Sequence, residues 1–452
     1  MNPSMDSGQA LEPWSPPADD SLNFVRHVGD RISAQGMALA GGAGFIAAWL
    51  LAQGFTVTEG GQLPLLFVLC TAAPMAFLSV SWNQTHRRPS SGLCSEPCVT
   101  NARRCAVKFV GLVGTLLVLA ACYWLLPEYA QAFYRPVWET AKWVAFPILA
   151  LSLPYILWVD RRMLEPKDGY WHTGQLFLGR WLWAKPPWEG WRGIDFFQIK
   201  EHVLGWMVKG FFLPLMLAGS VEYLNVLVKE GIRLATFGEL YVTALNLILA
   251  VDVLFGSVGY LLTLRPLDSH IRTTEPTVLG WAAAICCYIP FSTFIWSSVL
   301  NYKGRTDWMD WLQPWPILFV SWGFAILALH AVYVWSTASF GCRFSNLTNR
   351  GIIVDGPYRY LKHPAYVSKN IAWWLMAVPF VAHASWSAAL RACVCLALTN
   401  LIYILRAWTE ERHLMRDPAY VVYCQWMKAH GLKQAILDRI TSFRRRIRRS
   451  GL

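Results

Sequence analysis

Between Gly351 and Tyr366 the chain reads Gly-Ile-Ile-Val-Asp-Gly-Pro-Tyr-Arg-Tyr-Leu-Lys-His-Pro-Ala-Tyr. Its last nine residues hold Tyr358, Arg359, Tyr360, Lys362, His363 and Tyr366, a density of aromatic, cationic and titratable groups beyond what a connection requires. Gly356-Pro357 is a turn signal and His363-Pro364 a second break, so these groups lie between two reversals. A second stretch runs Arg406-Ala-Trp-Thr-Glu410-Glu411-Arg412-His413-Leu414. On a helix, Arg406, Glu410 and His413 share a face. Glu411 sits about 100° round and can still flank the same pocket. Two adjacent carboxylates near a membrane boundary need positive compensation, which Arg406, Arg359 or a bound cationic ligand would supply. Carboxylates accept hydrogen bonds from hydroxyl and amino groups, and arginine grips carboxylate or phosphate.

The elements that must position these residues are transmembrane helices. The 452 residues are 55% hydrophobic and 15% charged, against about 25% charged in a soluble domain. The 25 tryptophans suit a protein with two membrane interfaces. Ten apolar stretches approach the ~20 residues a span requires: 37–57, 63–82, 106–127, 141–160, 202–224, 240–264, 277–296, 315–340, 368–384 and 388–408. The ninth is short and contains Pro379, which predicts a tilted, kinked or partial crossing. The fold class is therefore an all-α polytopic bundle of about ten spans.

Most of the 40 basic residues fall in alternate loops and in the C-terminal tail. This places both termini in the cytoplasm by the positive-inside rule. The same pattern accounts for the net charge of +12 through anionic lipid at juxtamembrane loops, without nucleic acid as a partner. The acidic, proline-containing start lacks the basic region of a signal peptide, so residues 1–36 are expected to be a disordered tail. Residues 37–340 form an N-terminal bundle of about eight spans. Its segment 161–201, with Trp171, Trp181, Trp183, Trp188 and Trp191 among basic residues, suits an interfacial element. Residues 341–430 form the region that carries the chemistry, and 431–452 a basic tail. Cys94, Cys98 and Cys105 with His86 lack the tight pairing of a zinc site, and no metal is expected. Gly41-Gly42-Ala43-Gly44 follows no strand and is read as close helix packing.

Over about residues 340–430 the Gly-Pro-Tyr-Arg-Tyr-x-x-His-Pro-x-Tyr block, the pair of spans and the Glu-Glu helix resemble the isoprenylcysteine carboxyl methyltransferase and phospholipid methyltransferase superfamily. The resemblance implies S-adenosylmethionine as cofactor. It would be held by Gly356, Tyr358, Arg359, His363, Tyr366, Glu410, Glu411 and Leu414, while Arg406 orients the acceptor. It also implies a lipidic substrate that enters from the bilayer. Lys362 departs from the arginine usual there, and Val-Ser-Lys-Asn after Tyr366 replaces a small-residue run. On this reading Tyr358 or Tyr366 stacks on adenine, and His363 and Arg359 meet the cofactor carboxylate. Glu411 would act as general base for an amine or hydroxyl acceptor.

Two other classes stay open. Arg416-Asp417 followed by Tyr423-Cys424 loosely resembles an NADPH-dependent sterol-type reductase, and a transporter or scaffold could retain a vestigial site. Among polar residues inside spans, Lys209 and Asp252 are read as a packing pair or, for Asp252, as part of a substrate site. His330 is read as a packed, hydrogen-bonded histidine.

Overall fold

A computed structural model describes residues 33–54, 61–178, 193–304, 306–381 and 385–449. Eight helices among these are long and apolar enough to cross a membrane. They are α1 (Ala34–Gly54), α2 (Gln62–Ser81), α3 (Ala102–Leu125), α4 (Arg135–Asp160), α6 (Phe196–Asn225), α7 (Phe237–Leu261), α9 (Pro316–Ser339) and α11 (Trp386–Leu414). Between them lie α5 (Gly169–Leu178), α8 (Val278–Ile285) and α10 (Pro364–Ala377), and α12 (Pro418–His430) and α13 (Leu432–Arg449) follow. The helix count thus agrees with a polytopic bundle but corrects two of the ten expected spans.

Both departures have a proline at the break. In 277–296 the helix stops at Ile285, and Pro290 follows a turn. Proline supplies no backbone N–H and forces the preceding residue out of the helical region. The ninth stretch is α10, 14 residues long, or about 21 Å at 1.5 Å per residue. That is short of the ~30 Å hydrocarbon core. It ends at Val378, whose φ is +37°, immediately before Pro379. The expected tail 1–36 lies mostly outside the described residues, and α1 begins at Ala34. Trp181, Trp183, Trp188 and Trp191 of the interfacial segment also lie outside them.

The core of the N-terminal bundle joins α1, α2, α6 and α7 through Phe45, Phe67, Met75, Leu224 and Phe255. Gly44 permits the closest approach of α1 and α2, since a Cβ there would lie 2.0 Å from the Cys70 carbonyl oxygen. This is the packing role expected of the glycine run. The segments after α2, α4, α7 and α9 meet at one end of the bundle. Leu93 bridges Met163, and Ser90 Oγ donates to Asp268 at 2.8 Å. Asp268 is fully buried and also pairs with Arg343 at 2.9 Å, Arg272 at 3.2 Å and Arg88 at 3.6 Å.

Arg350 locks the same end from inside. It is 2% exposed, and its guanidinium donates to the carbonyls of Ser269, Gly259, Phe344, Cys342 and Leu262 at 2.5–3.4 Å. Burial draws it down to about 9 from the ordinary 12.5, so at neutral pH it remains a cation held by backbone dipoles. A two-residue ribbon completes the junction. β1 (Thr273–Thr274) pairs antiparallel with β2 (Thr348–Asn349), which ties the segment before α8 to the polar block that precedes α10.

Candidate active site

Pro364 is the first residue of α10 and His363 its N-cap, a placement that needs no N–H from the proline. His363, Tyr366 and Lys369 then recur at three-residue spacing and face one cavity. Across from them, α11 presents Arg406, Glu410 and Leu414. The remaining wall comes from the end of α9, the segment 343–353, Tyr358 and α12. The cavity encloses about 1080 Å³ of empty space, part of it open to solvent.

The two carboxylates are satisfied differently. Glu411 accepts from His363 Nε2 at 2.9 Å and from the Lys362 ammonium, so both its oxygens are committed. Glu410 accepts from Tyr366 OH at 2.9 Å, with His363 Nδ1 4.0 Å away. Its Oε1 has no protein donor among the described residues. Lys362 is therefore a compensating cation, a role that the sequence left to Arg406, Arg359 or a bound cationic ligand. The His363 and Tyr366 rings lie parallel, 5.5 Å between centroids, and form a flat aromatic wall.

Arg406 is 7% exposed and has no carboxylate within ion-pair distance among the described residues. Its Nη2 donates to Asn346 Oδ1 at 2.6 Å and reaches Tyr288 OH at 3.4 Å. The guanidinium stands over the Tyr366 ring at 5.1 Å. A buried guanidinium with aromatic neighbours keeps donors available for an anion. Nearby, Lys369 lies 5.1 Å from the Tyr333 ring and 5.8 Å from the Tyr403 ring, also without an ion pair among the described residues.

Tyr358, His363, Tyr366, Arg406, Glu410 and Leu414 thus surround one space, with Glu411 bracing its rim. Two expected members stand apart. Arg359 is exposed and outside the cavity wall, because the single turn Gly356–Arg359 directs Tyr358 inward and the next side chain away. The geometry therefore does not support its expected grip on a cofactor carboxylate. Gly356 acts through the backbone. Its φ is +63°, and a Cβ would lie 2.6 Å from Ser339 Oγ, so glycine shapes the turn beneath Tyr358.

Asn346, Tyr288 and Lys369 were missed. A lysine near the start of an apolar stretch was a usable signal for Lys369. Nothing local marks Asn346 or Tyr288, which reach the site only through the fold. The suggested Lys209–Asp252 pair is not formed. Asp252 instead accepts from Tyr333 OH and Thr337 Oγ1, both at 2.5 Å, and so buttresses a wall of the cavity. His330 bonds the Ile326 carbonyl at 2.9 Å, as a packed histidine should.

A helical, multi-pass membrane protein with a polar cavity closed by the end of its last long helix is the class this fold and site define. Within that class, residues 318–426 match the family model for the isoprenylcysteine carboxyl methyltransferase (ICMT) family. The matched region contains every cavity residue named above except Tyr288, and it supports a membrane methyltransferase. Comparison with curated proteins and with solved structures gave no match.

Proposed function

We propose that the chain transfers a methyl group from S-adenosylmethionine to a lipid or lipid-linked acceptor at the cytoplasmic membrane face. The observation that carries this reading is the division of labour at the Glu-Glu helix, inside the family-matched region. Glu411 is paired with the Lys362 ammonium and hydrogen-bonded to His363, while Glu410 faces the cavity with an oxygen unused. That oxygen suits the ribose hydroxyls or ammonium group of the cofactor, and the His363–Tyr366 wall suits its adenine. When bound, the cofactor supplies an electrophilic methyl on a sulfonium. The protein's own task is then positioning and exclusion of water.

Arg406 holds the acceptor. With no carboxylate of its own, it can present a carboxylate or phosphate oxygen for in-line attack without a strong base. Glu411 is poorly placed as a general base because both oxygens are taken, so an acceptor that is already anionic fits better than an amine or alcohol. The basic loops at the junction end would face cytoplasmic anionic lipid, with both termini on that side.

Calorimetry on detergent-purified protein tests the cofactor directly, with S-adenosylmethionine, S-adenosylhomocysteine and NADPH as ligands. The expected result is binding of both adenosyl compounds and its loss in Glu410→Ala. Binding of NADPH alone would transfer the site to the reductases, and binding of none would favour the transporter or scaffold reading.

A further inference from the structure

The N-terminal bundle holds a second cavity, between α3, α4, α6 and the segment 263–272, with about 1600 Å³ of empty space. Along α6 it is lined by Phe197, Glu201, His202, Trp206 and Lys209, one helical face on which His202 sits beside Glu201 and the other steps are three or four residues. From Phe197 to Lys209 that face runs about 18 Å at 1.5 Å per residue. The space therefore reaches from the loop end of the bundle well into the depth of the helices. Leu112, Tyr155 and Ile156 supply an apolar wall opposite.

The charges around it do not cancel. Four cations line the cavity (Lys108, Lys209, Arg265, Arg272) against three carboxylates (Asp160, Asp168, Glu201). Asp160 and Asp168 are already paired with cations, and Glu201 is held by hydrogen bonds to one of its oxygens. Asp160 is gripped by Arg104 at 2.6 Å and Lys108 at 2.9 Å. Asp168 lies 3.4 Å from Lys108 and accepts from Trp171 N at 3.2 Å. Glu201 accepts from the Thr274 amide at 2.9 Å and its hydroxyl at 2.8 Å. Arg265 donates to the Ser91 carbonyl and Arg272 pairs with Asp268. Lys209 has no ion pair among the described residues. Its ammonium lies 3.6 Å from the centroid of the Trp206 ring, and that ring meets His202 and Tyr170.

An ammonium at membrane depth without a counter-charge is costly unless a ligand or water supplies one. Here it opens onto a large space with an apolar wall. We propose that this cavity binds an anionic amphiphile drawn from the bilayer, with its acidic headgroup on Lys209 and its apolar body along Leu112, Tyr155 and Ile156. The cavity shares no lining residue with the methyltransferase-like site; the ribbon strand β1, which follows Arg272, lies between the two. It is a separate site.

The test is the melting temperature of the full chain in detergent against added dioleoylphosphatidylglycerol, dioleoylphosphatidylcholine or inorganic phosphate. Phosphatidylglycerol should raise the wild-type Tm saturably, by roughly 3–5 °C, and the other two should not. Lys209→Gln should lose most of the shift, Lys209→Arg should keep it, and Lys303→Gln, in a distant loop, should behave as wild type. An equal shift from phosphatidylcholine would overturn the anionic head, and an equal shift from inorganic phosphate the amphiphile. A full shift in Lys209→Gln, or none in the wild type, would overturn the site. If Lys209→Gln does not fold, Leu112→Trp fills the apolar wall with Lys209 intact and should lose the shift. Native mass spectrometry of the wild type should then show phosphatidylglycerol retained over phosphatidylcholine, and equal retention would overturn the proposal.

Discussion

Glu410 and Glu411 are neighbours in sequence with opposite duties, and substitutions should separate them. Glu410→Ala removes the carboxylate that faces the cavity and should weaken adenosyl binding on the order of 100-fold, since hydrogen bonds to a charged group are worth about 1.5–3 kcal/mol. Glu411→Gln leaves Lys362 without its anion at a half-buried rim, and a loss of about tenfold is expected. Titration calorimetry on both variants distinguishes these. Lys362→Arg, the residue usual in the family, should bind like the wild type, whereas Lys362→Met should match Glu411→Gln. Arg406→Lys keeps charge but loses the planar fork that reaches Asn346 and Tyr288. It should lower turnover about 100-fold with cofactor affinity unchanged, measurable by methyl transfer beside calorimetry. The residues that converge were legible because they sit in two dense local blocks. Arg359 was not, because whether a loop side chain points in or out depends on one turn whose direction Gly356 and Ser339 decide. Asn346 and Tyr288 were invisible for a different reason: each lies far in sequence from the arginine it serves.

The segment between α7 and α8 is short, half-buried and rich in unlike charges. His270 lies there with its Nδ1 unpartnered. Burial, then Arg265, push its imidazole down to about 3 from 6.5, with Asp268 opposing and Arg272 and Arg350 adding to the effect. Below pH 6.5 the unfolded chain takes up a proton that the folded chain refuses until about pH 3. Stability is therefore lost as pH falls through that window. The Tm should drop between pH 7 and pH 5, and His270→Phe should lessen the drop. Arg350 is the other determinant. Lysine cannot reach five carbonyls, and Arg350→Lys is expected to cost about 2–4 kcal/mol, read as a fall in Tm by differential scanning. At this scale the sequence marked where long helices run, since apolar length is a local property. It overstated the spans at 277–296 and 368–384, where composition remained apolar but proline ended the helix.

The family-matched region does not close upon itself. Arg350 takes three of its five carbonyl acceptors from Gly259, Leu262 and Ser269, all outside residues 318–426, and Arg343 finds Asp268 there too. A chain cut to begin at Gln313 should strand both guanidiniums and fail to give a monodisperse species on gel filtration, whereas the full chain does. The sequence suggested a boundary near residue 340 because the motifs begin there. The packing crosses that boundary at several points, none of which leaves a mark in composition.

The ribbon of β1 and β2 carries this further. Thr274 is held by Glu201 of α6, and Thr273 Oγ1 contacts His413 Nε2 of α11 at 3.0 Å. One strip of backbone two residues long thus answers to helices from both halves of the molecule. A change at position 201 shifts the strand on which position 413 depends, so neither can drift alone. Across descendants of this chain, positions 201, 273, 274 and 413 are expected to be inherited as a set.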